Sequence, residues 1–139
     1  KYDYSLKRQF TQSKKIYAID SGMRNAISLK FSHDFGKSFE NQVYIELLRR
    51  GCDVWYFRDK GECDFIAQKT DSILCMQVCY EVTGENNVRE IHGLIEALNK
   101  TGAEEGILLT MNQRKIPDYE LITDKKIRVI PAFEWFTSE

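Results

Sequence analysis

The sequence predicts a single α/β domain in which helices flank a mixed central sheet. Two amphipathic segments, residues 36–50 and 87–100, predict helices, and strand-like segments fill the order helix, three strands, helix, strand. The three strands form a meander, and the link through the second helix predicts a right-handed crossover. A length of 139 residues suits one domain with one hydrophobic core.

The N-terminal part of the chain predicts little regular structure. Residues 1–13 are polar and lack a clear period, so we interpret them as a linker or the tail of a preceding domain, with the domain proper at 14–139. Residues 15–19 are strand-like, and Asp20 offers an N-cap for a short helix around 23–29. Because the chain begins with Lys rather than Met, we expect it to be a piece of a longer protein.

The first long helix carries one residue that breaks its pattern. At 100° per residue its apolar side chains share one arc, and these are Phe39, Val43, Tyr44, Leu47 and Leu48. Asn41 projects from the opposite, polar side. Glu40 projects between Val43 and Tyr44, in the middle of the apolar face. An inward carboxylate is therefore predicted.

The remaining elements follow from alternation, apolar runs and turn residues. The predicted strands are 53–58, 62–68, 72–83, 106–111 and 126–130, and a short helical segment is predicted at 132–136. The long apolar run at 72–83 is typical of a central strand that is buried on both faces.

Three positions on these elements could converge on a site. Glu40 points inward from the first helix, Asp64 lies in the second strand, and Gln77 lies in the central strand. Cys79 is two residues further on and therefore shares a face with Gln77. Because an unpaired buried carboxylate costs several kcal/mol, a divalent cation would explain two of them. Mg²⁺ or Mn²⁺ would accept such oxygen ligands.

This order resembles the PD-(D/E)XK nuclease superfamily, whose pattern is a helix Glu, a strand Asp and then (D/E)-x-K. The corresponding residues here are Glu40, Asp64 and Gln77-Val78-Cys79. The resemblance implies a restriction-endonuclease-like α-β-β-β-α-β sandwich, with Glu40, Asp64 and Gln77 as metal ligands and Cys79 in the catalytic set. These positions are the candidate catalytic residues if the domain is active.

More narrowly, four segments in order look like the nuclease-like domain of unknown function found C-terminal to the AAA-type module in prokaryotic predicted ATPases. They read KKIYAIDSGMRNAI at 14–27, FENQVYIELLRRG at 39–51, ECDFIA at 62–67 and QVCYEV at 77–82. The resemblance implies an upstream ATPase module in the same polypeptide as a partner. This chain itself contains no G-x-x-x-x-G-K-[ST] motif, so no ATP site of that kind is predicted in it.

Two departures from the nuclease pattern weaken the expected chemistry. Gln77 stands where an acidic ligand is expected, and Cys79 stands where the lysine is expected. Glu81 is a substitute candidate for the ligand, and Lys60 and Lys69 are substitute candidates for the lysine.

Charge and composition restrict the partners. The net charge of −1 excludes an overall basic field, so DNA contact would need a local patch. The candidate contacts are Lys7, Arg8, Lys14, Lys15 and Arg89. No apolar run approaches a membrane span, so no membrane partner is expected. Four scattered cysteines are typical of the reducing cytoplasm.

Three functions remain open at this point. The first is a degenerate nuclease-fold accessory domain of a larger prokaryotic ATPase, which binds DNA or a protein partner without efficient hydrolysis. The second is an active Mg²⁺- or Mn²⁺-dependent DNA endonuclease with a displaced lysine. The third is a pure protein-interaction domain.

Overall fold

The computed structural model describes residues 1–2, 14–20, 35–116 and 125–138, and these form an α/β domain around a five-stranded mixed sheet. The predicted helix at 23–29 and the basic residues Lys7 and Arg8 lie outside the described residues. The predicted α/β class with a mixed, helix-flanked sheet is confirmed.

From residue 35 onward the elements follow the predicted order, with shifts at their ends. They are α1 (Phe35–Arg49), β1 (Asp53–Arg58), β2 (Glu62–Lys69), β3 (Ser72–Cys79), α2 (Asn87–Thr101), β4 (Glu105–Thr110), β5 (Lys126–Pro131) and α3 (Ala132–Thr137). The sheet order is β1-β2-β3-β4-β5. The first three strands pair antiparallel, and β4 and β5 add parallel neighbours.

Each face of the sheet carries its own apolar core. On one face, Ile66 and Leu108 pack with Ile91, Leu94 and other residues of α2. On the opposite face, a second cluster joins α1 and α3 to the strands; its members include Phe39, Val43, Leu47, Phe65, Met76, Leu109 and Trp135. The helices therefore lie on both sides of the sheet, as two-sided burial of the central strands requires.

A β-bulge interrupts the pairing of β1 with β2. Trp55 pairs with Ile66, but Phe57 pairs with Cys63, so Tyr56 faces two residues of β2 instead of one. Those two residues are Asp64 and Phe65. A bulge bends its strand and redirects the side chains on it, and this one coincides with the predicted site residue on β2.

The predicted strand at 72–83 is wrong at its C-terminal end, because β3 stops at Cys79, whose β4 partner is Thr110. The buried Val82 lies beyond the last strand pair and takes its hydrogen bonds from a side chain. Its N–H donates to Gln113 Oε1 at 2.7 Å, and Gln113 Nε2 donates to its carbonyl at 2.9 Å. The apolar run continues past the strand because the amide of Gln113 replaces a neighbouring strand there.

The predicted strand at 15–19 is also wrong, since these residues belong to neither a helix nor a strand. They lie against the domain through individual side chains, described below. Near the chain start, the Tyr2 N–H donates to the Tyr56 carbonyl on edge strand β1 at 2.6 Å. None of the helices in the described part of the chain combines the length and the apolar character needed to cross a membrane.

Candidate functional site

A cleft of about 910 Å³ opens between the N-terminal ends of α1 and α2 and the β1–β2 turn. Six carboxylates line it together with cationic residues; the carboxylates are those of Glu40, Asp59, Glu62, Asp64, Glu85 and Glu90. The cationic lining residues are Lys37, Arg58, Lys60 and Arg89. Carboxylates and cations are thus mixed in one concave site.

Asp64 lies in this cleft on the bulge of β2 and is only 8% exposed. Its Oδ2 accepts the Val78 N–H at 3.0 Å, and its own N–H donates to Gln77 Oε1 at 3.1 Å. These two bonds replace the ladder bonds of β2 and β3 at a point where the regular pairing has ended. These two hydrogen bonds therefore hold both the backbone and the carboxylate of Asp64 in place at the bulge.

The ammonium group of Lys15 lies among three carboxylates. Its Nζ is 2.9 Å from Asp64 Oδ1, 2.9 Å from Glu62 Oε1 and 3.1 Å from Glu40 Oε1. The sequence predicted Lys15 only as a weak DNA contact. In the structure it is instead the cation that balances the predicted Glu40–Asp64 pair.

These contacts shift the pKa values of both partners. Burial raises the pKa of Asp64 from 3.8 to about 6, although the Lys15 charge opposes that rise; the nearby Glu40 charge adds to it. Burial by itself would lower the pKa of Lys15, but the charge of Asp64 and the hydrogen bonds to Glu62 and Asp64 outweigh it, so the pKa is raised. Lys15 is therefore charged throughout the physiological range.

The residues after Lys15 are also held by α1. The Tyr17 hydroxyl donates to Glu40 Oε1 at 2.6 Å, and burial followed by this bond raises the Tyr17 pKa. The Asn41 amide makes two hydrogen bonds to the backbone of Ala18. Its Oδ1 accepts the Ala18 N–H at 2.8 Å, and its Nδ2 donates to the Ala18 carbonyl at 2.9 Å. Asn41 is only 4% exposed. Its predicted position on the outer, polar face of the helix is therefore wrong, because residues 14–20 cover that side.

The side-chain oxygen and nitrogen of Gln77 are both hydrogen-bonded. Its Oε1 accepts the Asp64 N–H, and its Nε2 donates to Glu90 Oε2 at 2.7 Å. Glu90 is 7% exposed and also accepts from Arg89 at 2.6 Å. Gln77 thus links Asp64 to a carboxylate on α2 that the sequence reasoning missed. A helical projection of α2 contains the signal, because Glu90 falls between the buried residues Ala97 and Leu94.

The other predicted site residues are dispersed. Cys79 is not among the residues that line the cleft, and its thiol donates to the Glu81 carbonyl at 3.1 Å; burial and then the nearby Glu90 charge raise its pKa to about 11. Glu81 is exposed, and Lys69 lies at the opposite end of β2 beside the turn to β3. Lys60 does line the cleft. Lys14 is exposed and borders a separate pocket beside β1.

The residues present do not fit the divalent cation that the nuclease resemblance implies. Lys15 already contacts both Glu40 and Asp64, and the Gln77 oxygen is used by a backbone N–H. Glu40, Glu62 and Asp64 converge on the Lys15 ammonium, but within the described ranges no three His, Cys, Asp or Glu side chains are arranged to hold a metal ion. The charge that a cation would supply comes instead from the chain's own ammonium.

Comparison with known proteins identifies relatives without a described activity. The model of the family "Domain of unknown function (DUF4143)" matches residues 35–135. An uncharacterized protein of Haemophilus influenzae is 37% identical over 95 residues, covering 68% of this chain and 23% of its own length. An uncharacterized protein of Methanocaldococcus jannaschii is 34% identical over 144 residues, covering 96% of this chain and 31% of its own length. No solved structure matches.

Proposed function

The chain belongs to the family "Domain of unknown function (DUF4143)", and for it we propose the role of a nuclease-like accessory domain of a larger prokaryotic ATPase. In this proposal the domain binds DNA or a protein partner without efficient hydrolysis. The chain spans between 23% and 31% of the length of the curated relatives it matches, which leaves room for such a module in those proteins.

One observation carries the proposal: Lys15 fills the gap between Glu40 and Asp64. The helix carboxylate and the strand carboxylate stand in the order of the nuclease pattern. Metal-assisted phosphodiester hydrolysis needs a cation with open positions for water, and here the carboxylates are already paired. The Gln77 amide is also hydrogen-bonded to Glu90, so the side chains of the site are paired with one another and leave no open position for a catalytic cation.

A cleavage assay tests the proposal directly. Purified full chain is incubated with supercoiled plasmid in millimolar Mg²⁺ or Mn²⁺, beside Asp64→Ala and the exposed-turn control Asp71→Ala. The proposal predicts that the wild type and Asp64→Ala leave the plasmid equally intact. Cation-dependent nicking by the wild type and by Asp71→Ala, lost in Asp64→Ala, would overturn it.

The nature of the partner is tested by a gel-shift titration with duplex DNA at several salt concentrations. Of the residues that line the cleft, Arg58, Lys60 and Arg89 are the ones that could contact a phosphate, although carboxylates share the lining. Salt-sensitive binding that weakens in Arg58→Ala/Lys60→Ala identifies DNA as the partner. Absence of a shift at low salt argues against DNA as the partner.

A second candidate, an active nuclease with a displaced lysine, is favoured by one specific contact. The Lys15 ammonium is 2.9 Å from Asp64, which is the position in which a lysine could help to orient an attacking water. This candidate predicts metal-dependent nicking that disappears in Lys15→Met. The leading proposal predicts no nicking in either protein, so the same assay separates the two.

A further inference from the structure

We propose that the surface formed by α1, β2 and Tyr56 beside the cleft is a recognition site for a Lys-x-Tyr segment, and that residues 15–18 occupy it as a detachable latch of the chain itself. The inference deepens the proposed function, since it names what binds the carboxylates at the edge of the cleft, and it rests on that function only in treating those carboxylates as binding groups. It concerns contacts of the described residues on α1 and β2.

The segment lies against the domain in the manner of a bound peptide. Residues 14–18 are in neither a helix nor a strand. Lys15 and Tyr17 turn toward the domain, whereas Ile16 between them is 95% exposed. In extended peptides bound in grooves, alternate side chains enter pockets in the same way.

The first subsite selects a lysine. Three carboxylates, those of Glu40, Glu62 and Asp64, converge on Nζ within 3.1 Å. The ammonium also lies 5.7 Å from the centroid of the Tyr56 ring, within reach of a cation–π contact. A neutral side chain at this position would leave the buried carboxylate of Asp64 without its cation, which is costly.

The second subsite selects a tyrosine. The Tyr17 ring stacks on Tyr44 with centroids 4.1 Å apart and planes 19° apart. Its hydroxyl donates to Glu40, so the same carboxylate accepts hydrogen bonds from both Lys15 and Tyr17. Phenylalanine would keep the stack and lose the hydrogen bond.

The third contact reads the backbone. The buried amide of Asn41 bonds both the N–H and the carbonyl of Ala18, which fixes the register of the segment whatever its side chains are. Side-chain subsites combined with a main-chain clamp provide specificity and affinity respectively in peptide recognition.

The latch is detachable because the domain does not need it to complete its core. The buried members of the cluster beneath it, among them Phe39, Val43 and Phe65, come from α1, α3 and the sheet, and Tyr17 packs against this cluster as a partly buried side chain. Segments held by few apolar contacts at the surface of a complete core open as separate units.

Hydrogen exchange of the full chain tests this inference, with Lys15→Met, Asn41→Ala and the exposed neighbour Lys14→Met as a matched control. The expected result is a rise of about tenfold or more in the exchange rate of peptides covering residues 14–20 in the first two variants. Peptides from β2 and β3 should stay unchanged, and Lys14→Met should match the wild type. Unchanged exchange at 14–20 overturns the inference. Equal loosening of β2 and β3 also overturns it, because the segment would then be an integral part of the core.

A peptide supplied in trans tests the recognition itself and remains informative if Lys15→Met weakens the fold. A fluorescent peptide with the sequence of residues 14–20 is titrated into the full chain carrying Tyr17→Phe and into Lys15→Met/Tyr17→Phe. The inference expects saturable binding that is tightest to the double variant and at least about tenfold weaker to the wild type, whose own segment competes. A peptide with Met and Phe at the two anchor positions should not bind. Absence of binding to either variant, or equal binding of both peptides, overturns the inference. Neither hydrogen exchange nor peptide binding depends on nuclease activity, so the result of the cleavage assay does not decide this inference.

Discussion

At the scale of single residues, Asp64 and Lys15 depend on each other. Asp64 is buried on a bulge, where its charge would be costly alone. Lys15 brings the opposite charge, and both groups have raised pKa values. The protonation of Asp64 therefore depends on whether the Lys15 ammonium is beside it.

This dependence predicts how Asp64 titrates. In the wild type its pKa should be about 6, because burial outweighs the opposing Lys15 charge. Lys15→Met should raise that pKa further, since the charge that lowers it is gone. Side-chain carboxyl chemical shifts followed by NMR against pH measure both values, with Lys14→Met as control. An Asp64 pKa at or below 3.8, or one that Lys15→Met leaves unchanged, would contradict the account.

The same shift predicts a pH dependence of stability. Because the folded-state pKa of Asp64 is raised above 3.8, the folded protein binds the proton more tightly than the unfolded chain. The contribution of this group is fully present below about pH 4 and is lost as the pH rises through about 6. The wild type should lose on the order of 3 kcal/mol relative to Asp64→Asn over that interval. Urea unfolding of both proteins from pH 4 to pH 7 measures the difference; parallel curves would sink the prediction.

Only part of this residue-scale picture could be predicted from the sequence. The inward Glu40 follows from helical periodicity, and the structure brings it and Asp64 to one ammonium. Lys15 could not be assigned, because it comes from a segment without regular structure, 25 residues away from Glu40 along the chain. Glu90 could have been found from the helical projection, since a carboxylate among buried neighbours needs a partner.

At the scale of elements, periodicity was sufficient for the helices and strands after residue 34, apart from the end of β3, and local irregularities were not predictable. The bulge at Asp64 changes the face that its neighbours occupy, and a strict alternation cannot signal it. The end of β3 could not be predicted, because apolar residues continue beyond it. Among them, Val82 is hydrogen-bonded by the Gln113 amide instead of by a neighbouring strand.

The packing of α2 on the β1–β2 hairpin yields a prediction at this scale. Gly93 lies so close to β2 that a Cβ there would collide with the backbone carbonyl of Glu62. The backbone cannot move away as a side-chain end can, so Gly93→Ala should destabilise the fold by at least about 2 kcal/mol. Thermal and urea unfolding measure the change. Gly84→Ala is the matched control, because a Cβ there meets nothing within 4 Å; equal stability of the two variants would refute this packing.

At the scale of the whole molecule, the fold class follows from the order of elements, but the chemistry depends on a segment outside that order. The helix–meander–helix–strand pattern predicted a mixed sheet with two covered faces, and the structure has both. The restriction-endonuclease-like topology remains a prediction. The contact of Lys15 and Tyr17 with the carboxylates of α1 and β2 is a long-range contact that no local pattern encodes.

The central claim is that the chain's own Lys15, rather than a metal ion, balances the carboxylates of the cleft. Crystals of the full chain grown in millimolar Mn²⁺, with anomalous data collected near the manganese edge, test it most directly. If Lys15 balances these carboxylates, its Nζ will lie within hydrogen-bonding distance of Glu40 and Asp64, and no anomalous peak will appear between them. An anomalous peak between Glu40 and Asp64, with Lys15 turned out of the cleft, would contradict it.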